Sequence, residues 1–174
     1  LFHPAEPVHV LGVSWGGKWG LGLAAEFPDR VASLILSTPG LYAHQTLGPA
    51  ARLGVAFCSL FWPRRQFDIP LNDPRLFTDV EHHRRFIAED PLMLRKATAR
   101  TMLTSHLMER KLDSWANRVR CPVLLLLVED DAIIDNRRTV ELLERRISPE
   151  LLSVKRFTNS AHTLEFAADS SDYF

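Results

Sequence analysis

The chain has 174 residues, 46% of them hydrophobic and 24% charged, the balance of an ordinary globular protein with room for one domain and an insertion. Lys+Arg and Asp+Glu both number 21, so the formal net charge is zero and there is no basic footprint for nucleic acid. The longest strongly apolar run, Val123–Val128, falls far short of the roughly 20 residues of a membrane-spanning helix.

Pro7–Val13 reads as a short strand and Gly16–Phe27 as a helix halted by Pro28-Asp29. Small residues in that helix suit close packing on a sheet. Val31–Ser37 is a second strand, giving a βαβ unit with parallel strands. From Leu41 to about Asn117 the pattern turns helical: Pro49–Trp62 is an apolar helix, the proline-rich Pro63–Phe77 is irregular, and Thr78–Glu89 is a helix with Thr78 as N-cap and Glu81 at the capping-box position. Pro91–Glu109 reads as one more helix. Val123–Val128 is a strand buried on both faces, Asn136–Ile147 a helix and Leu151–Phe157 the last strand, with a final helix from Thr163. The expected fold is α/β, four parallel strands with flanking helices. Core segments 1–41 and 118–174 enclose a helical insertion at 42–117 that roofs the carboxyl ends of the strands.

Cys58 and Cys121 match no metal or redox spacing; they read as buried free thiols in a reducing compartment, so the expected location is cytoplasmic. No signal peptide is visible. The chain starts at Leu1 and closes on Ser170-Ser171-Asp172-Tyr173-Phe174, which reads as the opening of a helix. The expectation is a fragment of a longer protein.

The stretch Gly12-Val13-Ser14-Trp15-Gly16-Gly17-Lys18-Trp19 fits two motifs. As G-x-S-x-G it is a strand-to-helix turn presenting a nucleophilic serine; as G-x-x-x-x-G-K it opens a phosphate-binding loop. The phosphate loop needs Ser or Thr after its lysine to ligate magnesium, and Trp19 stands there. The serine turn needs small residues two before and two after the nucleophile, and Gly12 and Gly16 provide them. Acids at 129–135 and His162 follow in the chain order serine, acid, histidine. The nucleophile turn is therefore preferred.

With GVSWGG at 12–17, PVLLLLVEDDAIID at 122–135 and NSAHTLEF at 159–166, the chain resembles the α/β-hydrolase superfamily, and within it the monoacylglycerol lipase and lysophospholipase group, also described as serine aminopeptidase-like. LFTDVEHHRRFIAEDPL at 76–92 resembles that group's lid region. One departure is visible: Val13 and Trp15 flank the serine where the group more often has His and Met, which bears on substrate fit rather than on the reaction.

The residues alone leave Glu129, Asp130, Asp131 and Asp135 competing as the acid; the resemblance implies Asp131, with Asp130 as the alternative. Ser14 is then the nucleophile, His162 its base, and Asp131 the group that orients and charge-stabilises the imidazole. Trp15 supplies one backbone N–H of the oxyanion hole, and the second donor is expected upstream of Leu1. His82 and His83 read as a solvated pair rather than a metal site, His9 as part of a buried strand, His44 and His106 as members of the insertion. Lys18 reads as a solvated residue of the first helical turn, Trp15 and Trp19 as packing or acyl-site side chains. The apolar stretch Gly54–Trp62 reads mostly as buried against the core, with an acyl pocket or a transient membrane-surface contact by the cap as the other reading. If the 174 residues were the whole molecule, the first strand, Pro7–Val13, would be an exposed sheet edge. No metal or organic cofactor is required. The implied activity is hydrolysis of a small ester or lipid substrate, without nucleic acid or a membrane span. Peptide cleavage by the same residues, or a binding module with a dead site, are the alternatives.

Overall fold

The computed structural model describes residues 6–44 and 47–173. In chain order the elements are β1 (Val8–Val13), α1 (Gly16–Glu26), β2 (Val31–Ser37), α2 (Pro49–Phe61), β3 (Gln66–Asp68), α3 (Glu81–Glu89), β4 (Lys96–Thr98), α4 (Ala99–Glu109), α5 (Leu112–Ala116), β5 (Val123–Val128), α6 (Asn136–Arg146) and β6 (Leu152–Phe157). Four strands form one parallel sheet in the order β1-β2-β5-β6. The expected α/β architecture with four parallel strands is therefore present.

Alternation along the strands assigns two faces. Leu34, Leu36, Leu125 and Leu127 point to one face and are fully buried beneath α1, α5 and α6, packed with Leu21, Ala24, Leu112, Leu142 and Leu143. Burying each such leucine is worth about 1.5–3 kcal/mol. Leu126 and Val128 point to the other face, where Leu164 covers them. β1 lies at the end of the sheet among the described residues, and Leu11 and Val13 on it are exposed.

Charged residues tie the helices together. Glu26 accepts from Trp115 Nε1 at 2.9 Å and Arg118 Nη2 at 2.6 Å, joining α1 to α5 and the turn after it. Asp113 accepts from Arg145 at 3.0 Å and Arg146 at 2.8 Å, joining α5 to α6.

The segment between β2 and β5 departs from its expected course. Gln66–Asp68 and Lys96–Thr98 pair as a two-stranded antiparallel ribbon, where an irregular stretch and the start of a helix were expected. Thr98 caps α4 by accepting the Thr101 N–H, which sets the helix start eight residues after Pro91. α3 begins at Glu81 without a side-chain cap. The Thr78 hydroxyl is occupied instead: it accepts the Val80 N–H at 3.1 Å and donates to the Phe166 carbonyl at 2.7 Å. The short α5 was not anticipated. The expected final helix is only a 3₁₀ turn at Leu164–Phe166, and residues 171–173 form a turn. Phe174, in the expected helix opening, lies outside the described residues. His9 is exposed on β1 and hydrogen-bonds Ser33; among the described residues β1 has a neighbour on one side only.

Candidate active site

Because β1, β2, β5 and β6 are parallel, the segments that leave them gather at one edge of the sheet, the usual place for a site in an open α/β sheet. Ser14 follows β1, Thr38-Pro39-Gly40 follow β2, Asp131 follows β5 and His162 follows β6.

Ser14 has φ +47, a left-handed conformation that costs a non-glycine residue energy and persists only where its surroundings impose it. Three backbone bonds do so: Ser14 N donates to the Ser37 carbonyl at 3.0 Å, and the Ser14 carbonyl accepts from Gly17 N at 2.9 Å and Gly40 N at 2.6 Å. Thr38 and Asn159 share the positive φ, so strained backbone lies just past β1, β2 and β6.

The chain is crowded around that turn at one of the motif's two glycines, Gly12, and at Gly17 and Gly40 outside it. A Cβ on Gly12 would lie 2.8 Å from the Gly16 carbonyl oxygen, and one on Gly17 2.4 Å from Pro39 Cβ. A Cβ on Gly16 would meet nothing within 4 Å. Gly17 and Gly40, which the motif does not include, are the positions where α1 and the loop after β2 come together.

Ser14, His162 and Asp131 form one hydrogen-bonded chain. His162 Nε2 lies 2.8 Å from Ser14 Oγ, and His162 Nδ1 lies 2.8 Å from Asp131 Oδ2. His162 is 3% and Asp131 5% exposed, while Ser14 is half-buried. Asp131 is fixed at its other oxygen, where Oδ1 accepts the N–H groups of Ile133 at 2.8 Å and Ile134 at 3.0 Å. The competing acids stand elsewhere. Glu129 and Asp130 are exposed, and Asp135 caps α6 through the Arg138 N–H at 3.0 Å.

The segment between β2 and β5 supports two of these loops. Thr163 N donates to the Phe77 carbonyl at 2.9 Å, and the Phe77 ring meets the His162 ring edge-on at 6.1 Å. His44 N donates to Ile133 O at 3.0 Å and Asp135 N to Tyr42 O at 3.0 Å, which anchors the Asp131 loop. Tyr42 carried no local signal, and although Phe77 and Thr78 lie in the lid-like stretch, their contacts with His162, Thr163 and Phe166 join residues far apart in sequence.

The Trp15 backbone N–H, next to Ser14, has no hydrogen-bond partner among the described residues. Its side chain is exposed and meets Trp19 edge-on at 6.1 Å. Lys18 corrects the reading of a solvated lysine: it is 5% exposed, with Nζ 3.8 Å from Glu109 Oε2. Burial pushes its pKa below the ordinary lysine value, and the charge and hydrogen bond of Glu109 oppose that in part. α1 approaches α4 on this side, and nothing in the local sequence reports that contact. His83 stacks on Phe166 with centroids 4.4 Å apart. Among the described residues no three His, Cys, Asp or Glu side chains cluster as a metal site. Two surface cavities, about 500 Å³ at Phe61–Arg65 and about 620 Å³ between Trp19, Leu23, Leu107 and Trp115, include neither Ser14 nor His162.

The Gly54–Trp62 stretch also differs from expectation. Within it only Val55 and Cys58 are buried, whereas Phe57, Leu60, Phe61 and Trp62 are exposed, as is Leu53 just before it. Leu53, Phe57, Leu60 and Phe61 recur at helical spacing on the outer side of α2.

The sequence model of the family described as serine aminopeptidase, S33, matches residues 2–169. No curated sequence matches. Among solved structures, the chain is similar to a monoacylglycerol lipase from Paleococcus ferrophilus at TM-score 0.87 and 19% identity, over 97% of this chain and 65% of that one. It is similar to a soluble variant of monoglyceride lipase from Saccharomyces cerevisiae, bound to a substrate analogue, at TM-score 0.77 and 20% identity, over 92% and 56%. An alpha/beta hydrolase fold protein from Nakamurella multipartita aligns at TM-score 0.51 and 17% identity, over 96% and 66%. The chain thus spans roughly 56–66% of the length of these structures, and its fold is that of the α/β-hydrolases.

Proposed function

The chain belongs to the serine aminopeptidase S33 family, and from that premise we propose that it carries the reactive part of a serine hydrolase that cleaves carboxylic esters, with monoacylglycerol- or lysophospholipid-like substrates. The observation that carries this reading is the chain Ser14 Oγ, His162 Nε2, His162 Nδ1, Asp131 Oδ2, both links at 2.8 Å.

In this mechanism His162 takes the proton of Ser14 as Oγ attacks the acyl carbon. Asp131 accepts the Nδ1–H and stabilises the imidazolium. The oxygen of the tetrahedral intermediate accepts the open N–H of Trp15, with a second donor completing the hole. His162 returns its proton to the leaving alcohol, then activates water to release the acid from Ser14. Each step is an acyl or proton transfer, so no cofactor enters.

Residues 42–117 serve in this reading as a cap over the site. The contacts of Phe77 with His162 and of α4 with Trp15 and Lys18 support it. The exposed apolar side of α2, flanked by Arg52, Arg64 and Arg65, has the make-up of a surface that rests on lipid, which favours apolar acyl esters. Peptide hydrolysis remains the second reading because the family is described as aminopeptidase. Turnover of p-nitrophenyl butyrate and of monoacylglycerol, compared with an amino-acid p-nitroanilide, separates the two. Labelling of Ser14 by a fluorophosphonate, abolished in Ser14→Ala, tests the nucleophile; an unlabelled wild-type protein would point to a dead site.

A further inference from the structure

The side chains of Trp15 and Lys18 converge on one hydroxyl of α4. Ser105 Oγ accepts from Trp15 Nε1 at 3.0 Å and from Lys18 Nζ at 3.2 Å. The Ser105 carbonyl lies 3.4 Å from the same ammonium. Two accepted bonds use both lone pairs of the hydroxyl. Glu109, one turn along α4 on the same face, completes the set 3.8 Å from Lys18 Nζ. Lys18 is buried, so water does not readily replace these partners, and a buried ammonium without them is costly.

Trp15 is the residue whose orientation this fixes. It stands between strained Ser14 and the first residue of α1, and its own N–H makes no bond among the described residues. Besides the Ser105 bond, its indole has one aromatic contact, the edge-on packing with Trp19, a contact worth about 0.5–1.5 kcal/mol. An oxyanion donor acts only when it lies about 2.7–3.1 Å from the developing charge, so a small rotation of the Trp15 peptide weakens it.

We propose that Ser105 is a positioning residue: by holding the Trp15 indole it acts together with the Gly17 and Gly40 bonds to the Ser14 carbonyl to set the Trp15 peptide N–H beside Ser14, and it couples the nucleophile turn to α4. This rests on the ester-hydrolase reading above. The group acts on charge that exists only in the transition state, so its loss falls on kcat rather than KM.

The test is steady-state kinetics on a soluble p-nitrophenyl ester, with near-ultraviolet circular dichroism as a readout that needs no turnover. Ser105→Ala is expected to lower kcat about tenfold with KM within about twofold, a fraction of the ~10²–10³ attached to losing a whole donor. Ser105→Thr, which keeps the hydroxyl, recovers most of the rate. In a Trp15→Phe background Ser105→Ala brings little further loss. The tryptophan band changes in Ser105→Ala and not in that background. Wild-type kcat in Ser105→Ala, an equal loss in Ser105→Thr, or an unchanged tryptophan band overturns the proposal while leaving the hydrolase reading intact. A wild-type protein that neither turns over esters nor takes up a fluorophosphonate overturns both.

Discussion

Gly40 donates its backbone N–H to the carbonyl oxygen of Ser14 at 2.6 Å, and a Cβ at Gly40 would lie 3.2 Å from that oxygen and from Trp15 N. The loop after β2 thus presses on the peptide that joins Ser14 to Trp15. Any side chain there moves the peptide or loses the bond.

Alanine at Gly40 is therefore expected to lower kcat more than it lowers stability. At Gly12 and Gly17, where the added carbon would sit 2.8 Å and 2.4 Å from its neighbours, alanine overpacks the turn and costs about 1–3 kcal/mol. Alanine at Gly16, which faces open space, is tolerated. Urea unfolding of the four variants checks the order; a Gly16→Ala loss as large as that of Gly17→Ala would remove the packing argument.

Asp131→Asn keeps the size of the side chain and the acceptor for Ile133 and Ile134, but no longer offers His162 Nδ1–H a carboxylate. The expected fall in kcat for an ester is about 10⁴-fold, with little change in Tm. Asp130→Asn and Glu129→Gln, at exposed positions, should stay near wild-type rates. A fall confined to Asp130→Asn would transfer the acid role to that residue.

Lys18 has its pKa lowered by burial, so the unfolded chain binds that proton more tightly than the folded one. The charged form opposes folding at neutral pH. This opposition fades as pH rises through the lowered folded value, and is gone above the ordinary 10.5. Lys18→Met is expected to be neutral to about 1 kcal/mol stabilising at pH 7, since Glu109 is partly exposed and can rehydrate. Its advantage over the wild type should shrink as pH approaches 10.5. Thermal melts from pH 7 to 10 decide this, and a growing advantage would reverse the sign.

Leu53, Phe57, Leu60, Phe61 and Trp62 form an exposed apolar surface edged by arginines. Replacing Phe57, Phe61 and Trp62 by serine should reduce co-sedimentation with phosphatidylglycerol vesicles at least tenfold while leaving turnover of a soluble ester within about twofold; each aromatic contributes on the order of 1.5–3 kcal/mol when fully withdrawn from water. Equal sedimentation of variant and wild type would show that α2 does not meet lipid.

The sheet strands, the chain order serine, acid, histidine, and the turn at Ser14 were legible in the sequence because each is written locally: a six-residue apolar run at Val123–Val128, glycine where a turn is crowded, an acid and a histidine just past strand ends. Which of the four acids at 129–135 meets His162 was not legible from the residues alone, and only folding turns a single oxygen of Asp131 to His162 while its other oxygen takes two backbone N–H groups. The buried Lys18, its meeting with Ser105 and Glu109, and the outward face of α2 were not legible. Each depends on which helix lies alongside which across some 90 residues of chain, and an apolar or charged side chain carries no mark of the neighbour it will find.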